Sequence, residues 1–354
     1  MIHVWNVVEN SLQNLWRAFY TKSFAFTVDT NYLDWNTSFP AVSVCEVFNG
    51  ERMWDLNEKY FGADRDKFQD EFVADIAFFN GLCSSCKSCM QNQKVECGGN
   101  FSAIVQQFRT PCEHLITNCA WNGRNFSCCD AFLPLETEFG LCYTINSVHT
   151  TPKYGLKLQS NRDMGPGTLD VFALEDVQIH LHSPNDVPYI NTEHDLQETI
   201  LWGLQKEIIF STIEIFNDAN IVEQGLFQRR CKFPFEFAEE DGLRLYSSYS
   251  YSTCVTSCVA EAQIAICNCT HHLMPPNLAP NQFEILTEIR RNCKCFISCE
   301  EPEYNIVYSS NDYFGDDLGS PITIKLVSLP TTRFIRHTVR TTLDFISKLI
   351  LNSS

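Results

Sequence analysis

The sequence predicts an α+β, disulfide-rich extracellular domain, and three observations predict it. Eighteen cysteines among 354 residues fall into two blocks, a load that belongs to an oxidising compartment. Between the blocks lies a cysteine-free stretch with strand candidates, while residues 50–80 carry apolar residues at helical spacing. Asn36, Asn100, Asn125, Asn268 and Asn352 each open an Asn-x-Ser/Thr glycosylation acceptor, as suits a chain that passes the secretory route. The chain is 44% apolar and 13% aromatic, enough to bury a large core. Its 26 Lys plus Arg against 43 Asp plus Glu give a net charge of -17, which excludes a phosphate backbone, and so nucleic acid, as the partner.

Residues 1–28, with Trp5, Trp16, Phe19, Tyr20, Phe24 and Phe26, fit either a packed helix or an aromatic collar at a membrane interface. Ser38 to Phe48 is rich in Val and Phe without alternation, which reads as a strand buried on both faces. Trp54, Leu56, Tyr60, Phe61, Phe68, Phe72, Ile76 and Phe79 recur among charges, predicting one or two amphipathic helices over residues 50–80. The first cysteine block, Cys83 to Cys142, follows, with Cys45 upstream of it. Leu141 to Ile145, Val177 to His182 and Glu207 to Phe216 are strand candidates, the last with Ile208, Phe210, Thr212, Glu214 and Phe216 alternating. Gly165-Pro166-Gly167 reads as a turn, since a dinucleotide loop needs a third glycine and a strand-to-helix setting. The second block, Cys231 to Cys299, precedes strands at Tyr304 to Tyr308 and Ile322 to Val327, joined by the polar segment Asn311 to Ser320.

The chemistry-bearing clusters read mainly as structure. Cys83, Cys86, Cys89 and Cys97 have spacing open to zinc, but the compartment favours disulfides. Cys267-Asn268-Cys269-Thr270-His271-His272 poses the same choice with two imidazoles added. Glu239-Glu240-Asp241, Glu300-Glu301 and Asp316-Asp317 read as solvated charge. A phosphate-binding loop, a zinc-protease motif and a nucleophile elbow are all missing from the sequence, so no enzyme and no cofactor is expected.

A series of motifs in one order carries a resemblance. Phe39-Pro40-Ala41-Val42-Ser43-Val44-Cys45, preceded by Thr30 to Thr37, is followed by Gly140-Leu141-Cys142-Tyr143-Thr144-Ile145-Asn146-Ser147. Then come His182-Ser183-Pro184 with Asp186-Val187-Pro188, Gln228 to Pro234, Tyr249 to Cys258, Cys267 through Met274-Pro275, and Cys293 to Cys299 with Glu303-Tyr304. Over about residues 28–345 the chain resembles the degenerin/epithelial sodium channel family, pickpocket branch.

That resemblance implies an extracellular domain likened to a clenched hand. A helical finger would cover about 50–135. Palm and β-ball strands would cover about 36–48, 138–225 and 303–330, and a helical thumb about 231–300. The implied disulfides are Cys45 with Cys142, Cys119 with Cys128, Cys231 with Cys299, Cys254 with Cys295, and Cys258 with Cys293. Partners for Cys83, Cys86, Cys89, Cys97, Cys112, Cys129, Cys267 and Cys269 stay open, the last two because the segment after Met274-Pro275 lacks the family's two further cysteines.

The resemblance also implies a plasma-membrane, amiloride-sensitive-type sodium channel passing Na+, built as a homo- or heterotrimer. Residues 1–35 and 331–354 are expected to be the remnant of a first membrane helix and the approach to a second. Both helices are expected to be largely missing, because no window reaches the about 18 apolar residues of a span and the family's selectivity filter has no counterpart in the sequence. Arg333, Arg336 and Arg340 read either as membrane-facing cations or as a solvated basic face. The alternative to a channel subunit is a non-conducting binding or regulatory ectodomain.

Overall fold

The computed structural model describes residues 24–31, 34–64, 67–78, 105, 107–150, 156–237, 243–267, 270–274, 293–315 and 318–338. Strand β1 (Phe24–Asp29) opens it, where the aromatic density fitted either a packed helix or a collar at a membrane interface. Its exposed, non-alternating pattern hides the strand, which exists because β18 (Arg333–Thr338) pairs with it antiparallel from Phe24↔Thr338 to Asp29↔Arg333. β2 (Thr37–Ser38) precedes β3 (Ala41–Phe48), whose first six residues are buried. β-branched Val42 and Val44 suit a strand with neighbours on both edges.

Two helices follow. α1 (Gly50–Phe61) starts at Asn49, whose Oδ1 accepts the Arg52 N–H at 2.9 Å, and it carries Glu51 in its first turn and Lys59 in its last. It stops at Gly62, where φ is 83°. α2 (Lys67–Ala77) packs Val73 and Ala77 against Met53 and Phe108. Arg109 ties this helical arm to the sheet: it donates to the carbonyls of Glu46 at 2.6 Å and Phe139 at 2.9 Å and lies over the Phe78 ring.

The one-turn helix α3 (Cys112–Leu115) leads into β4 (Ile116–Trp121) and β5 (Arg124–Asn125). Between the two strands, Asn122 and Gly123 take φ of 48° and 72°, the left-handed pair a two-residue hairpin needs. One turn of helix, α4 (Cys128–Ala131), precedes β6 (Leu133–Thr137) and β7 (Gly140–Ile145). β8 (Gln159–Ser160), β9 (Thr168–Ala173), β10 (Asp176–His182), β11 (Gln197–Ile200), β12 (Leu204–Ile213) and β13 (Ile215–Asn217) continue the chain. At Gly167 φ is 46°, and a Cβ there would collide with the Trp121 indole, so the expected turn at 165–167 requires glycine. α5 (Leu226–Arg229), β14 (Cys231–Lys232), α6 (Tyr251–Cys267), β15 (Ile297–Ser298), β16 (Glu303–Tyr313) and β17 (Ser320–Leu326) precede β18.

Two sheets carry the core. One runs β11-β10-β3-β7-β6 and the other β16-β12-β17-β9-β4-β5. Val42, Val44, Ile145, Ile179 and Leu181 from the first join Leu169, Val171, Ile208, Phe210, Ile322 and Ile324 from the second in one buried cluster. Phe39 sits edge-on to Trp121 at 4.8 Å and Phe210 at 5.2 Å. Residues 116–125, counted with the helical segment 50–135 in the sequence, thus belong by pairing to the six-stranded sheet. Among the described residues no helix is long and apolar enough to cross a membrane.

Candidate functional site

A small basal sheet, order β1-β18-β13, joins the two ends of the described chain. β18 sits at its centre, antiparallel to β1 and parallel to β13. Arg333 anchors it. Its Nε donates to Glu214 Oε2 at 2.7 Å and its Nη2 to the Asn36 carbonyl at 3.0 Å, while the guanidinium lies over Trp35 at 4.2 Å and Phe216 at 4.5 Å. Arg333 and Glu214 are both buried. Burial raises the Glu214 carboxyl and outweighs the opposing pull of Arg333. Arg336 is also buried, lies over Phe26 at 5.2 Å and directs Nη1 to Cys231 Sγ at 2.8 Å. The reading of Arg333 and Arg336 as a solvated or membrane-facing basic face is therefore corrected, because aromatic rings and a carboxylate take them inside.

Cysteines fix what rests on this sheet. Cys231–Cys299, Cys254–Cys295 and Cys258–Cys293 are bonded across separations of 68, 41 and 35 residues, nested one within another. The outermost rung sits beside the basal sheet. Phe24 packs on the cluster of Ile221, Cys231, Phe233 and Cys299, and Asn217 Nδ2 donates to the Cys299 carbonyl at 2.8 Å. Cys45–Cys142 joins register partners of β3 and β7, and Cys119–Cys128 closes a short loop. Cys112–Cys129, left without partners by the sequence, is the sixth bond among the described residues. Cys83, Cys86, Cys89 and Cys97, and the bonding of Cys267 and Cys269, lie outside the described residues, and so do Asn100, Asn268 and Asn352. Asn36 and Asn125 are exposed, and Asn125 borders a cavity of about 450 Å³ beside Cys119–Cys128.

Above the basal sheet opens a cleft of about 350 Å³. Its walls come from the end of β10 and the loop after it, the start of α6, the segment 297–304, and Ile215 and Arg336 of the basal sheet. Asp186 and Glu301 face each other in it. Ser252 Oγ donates to Asp186 Oδ1 at 2.7 Å, and a hydrogen bond joins the two carboxyls. Burial, with the Asp186 charge second, pushes Glu301 up to about 8, while the Ser298 backbone N–H pulls the other way. Glu301, read as surface charge in the sequence, is thus a half-buried partner of the buried Asp186. His182 beside them is pushed down to about 4 by burial. Its Nδ1–H donates to the Ser183 carbonyl at 2.9 Å, so Nε2 accepts from Ser43 Oγ at 2.8 Å. Tyr304 also lines the cleft and is 6% exposed; its hydroxyl has no hydrogen-bond partner among the described residues. No group of three His, Cys, Asp or Glu side chains among the described residues is placed to hold a metal ion.

A mixed α+β frame with six described disulfides, three of them nested over a sheet that joins both ends, is a disulfide-rich extracellular domain of the degenerin/epithelial sodium channel class. The family model described as Amiloride-sensitive sodium channel matches residues 7–349, and the chain belongs to that family. It is similar to the sodium channel protein Nach of Drosophila ananassae, 21% identical over 236 residues that cover 58% of this chain and 44% of that protein. It is also similar to acid-sensing ion channel 4-B of Danio rerio, 23% identical over 291 residues that cover 75% and 47% of the two chains. The chain spans about half the length of the curated relatives it matches.

Proposed function

We propose that this chain is the extracellular part of a sodium-channel subunit that assembles as a trimer in the plasma membrane. The observation that carries the reading is the family match over residues 7–349. The geometry supports it physically. Phe24 and Thr338 are register partners, so both ends of the domain leave from one edge, as a domain carried on two membrane helices requires.

In this reading the nested disulfides and α6 are the thumb, α1 and α2 the finger, and the two large sheets the palm and β-ball. Each disulfide removes unfolded-chain freedom and leaves the thumb stiff. A stimulus at its tip then arrives at the Cys231–Cys299 rung undiminished. There Phe24, Arg336 and Asn217 hand the displacement to β1 and β18, and the pore equilibrium shifts by the difference in stimulus affinity between closed and open states. Asn36 and Asn125 would carry glycans, being exposed acceptors.

Voltage clamp of oocytes expressing the full-length gene product tests the proposal. An inward, sodium-dependent, amiloride-blocked current is expected, with a mobility shift of surface protein on glycosidase treatment. Surface protein that passes no current, alone or with sister subunits, across acid, peptide and mechanical stimuli would overturn it.

A further inference from the structure

The cavity of about 450 Å³ beside Cys119–Cys128 has a glycan acceptor in its own wall. Asn125 lines it, exposed, and Asn125-Phe126-Ser127 is an Asn-x-Ser triplet. We propose that the first N-acetylglucosamine of an Asn125-linked glycan seats in this cavity and covers Cys119, Cys128 and Cys129. This seating presupposes the extracellular placement proposed above. The attaching step is glycosyl transfer from a lipid-linked oligosaccharide pyrophosphate. The bond from sugar C1 to the pyrophosphate oxygen breaks, the bond from C1 to Asn125 Nδ2 forms, the pyrophosphate leaves with the electron pair, and Nδ2 loses one proton.

The local fold fixes where that sugar can lie. Asn125 is the register partner of Ala120 on β4, and the next residue, Phe126, donates its N–H to the Cys119 carbonyl at 3.0 Å. Cys119–Cys128 and Cys112–Cys129 then clamp the segments on either side of the cavity. Because the first sugar is bonded directly to Nδ2, holding the asparagine holds the sugar at the rim. The lining suits an acetamido sugar, whose amide and hydroxyls both donate and accept. Glu113 accepts, and Thr117, Asn118 and Ser127 do both. Ile116 and Phe126 offer an apolar wall to the C–H face of the ring. The volume falls within the roughly 300–1,000 Å³ of small-molecule sites. Such an open, mixed surface captures a free sugar poorly. A one-bond tether raises the effective concentration to the order of millimolar, so contacts too weak to recruit a sugar still retain this one.

Asn36 is the internal control, an exposed acceptor that lines neither of the cavities described above. The full-length gene product, made with high-mannose glycans, is digested in its native state by two enzymes, and peptide mass spectrometry follows each site. Peptide N-glycosidase F must reach the bond between asparagine and the first sugar, whereas endoglycosidase H cuts beyond that sugar. Endoglycosidase H should act alike on Asn36 and Asn125. Peptide N-glycosidase F should release Asn125 at least about tenfold more slowly than Asn36, the ratio that about 1.4 kcal/mol of seating contacts gives. Glu113→Ala with Asn118→Gly should bring the Asn125 rate up to that of Asn36. The φ of 49° at Asn118 suits glycine, and Glu113 is exposed; near-ultraviolet dichroism reports the fold, and the parent rates decide alone if the double variant does not fold. Equal rates at the two sites, or a slow Asn125 rate that a natively folded double variant leaves unchanged, would overturn the proposal. A glycan at Asn36 with none at Asn125 would overturn it and leave the extracellular placement standing, whereas surface protein without a glycan at either site would remove both.

Discussion

At the scale of single residues, the basal sheet depends on one buried ion pair. Removing one member of such a pair leaves the other charged and unsolvated. Arg333→Ala should therefore cost about 3–5 kcal/mol in urea unfolding. Arg333→Lys should recover only part, because a lysine cannot donate to Glu214 and the Asn36 carbonyl while stacking on Trp35 and Phe216. Glu301 gives a second test. Its folded value of about 8 lies above the ordinary 4.5, so the folded state holds an extra proton between those values, and stability falls as pH rises through that window. His182, Glu193, Glu303 and Arg336 share the cleft, so the readout is a difference. The parent minus Glu301→Gln should lose stability from pH 5 to 8 by at most about 1.4 kcal/mol per pH unit. A flat difference would reject the buried carboxyl pair. Neither pairing was legible in the sequence. Glu301 stands in an acidic doublet that looks solvated, and Arg333 meets Glu214 across 119 residues.

At the scale of elements, legibility followed local pattern. The strand over 204–213 buries alternate residues, as the spacing of Ile208, Phe210 and Thr212 predicted. The alternation fails at Phe216, which is exposed and stacked under Arg333, because the chain changes sheets after Ile213. Cys112 could not be assigned because its partner Cys129 adjoins Cys128, and spacing does not separate two neighbouring thiols. β10 carries its own test. Burial lowers His180 to about 3 and His182 to about 4, so their contribution is intact above the ordinary 6.5 and is lost as pH falls below it. His180 lies tilted against Phe139 at 4.8 Å, and neither ring nitrogen has a partner among the described residues. His180→Leu should raise stability near pH 5 by about 1–2 kcal/mol and reduce the acid slope in thermal unfolding. In the nested set, Cys258→Ser with Cys293→Ser should cost about 3–4 kcal/mol by loop entropy, read as a lower midpoint of thermal unfolding.

At the scale of the whole molecule, the first and last described strands are each other's neighbours, which no local reading of either reveals. β1 has an exposed, irregular pattern, and its partner lies at the opposite end of the sequence. Its register predicts that Ala25→Cys with His337→Cys forms a disulfide on mild oxidation, whereas Val28→Cys with His337→Cys does not. Mass spectrometry of tryptic peptides distinguishes the two. The same pairing imposes a timetable on biosynthesis. At about 5–20 residues per second, roughly 300 residues must be translated after β1 before β18 exists, a wait of roughly 15 to 60 s. Throughout it β1 has no partner in this sheet, because β13 pairs with β18 and not with β1. In the order β1-β18-β13 the basal sheet therefore closes only after the last described strand has been made, so the part of the domain that joins its two ends is also the last that can form.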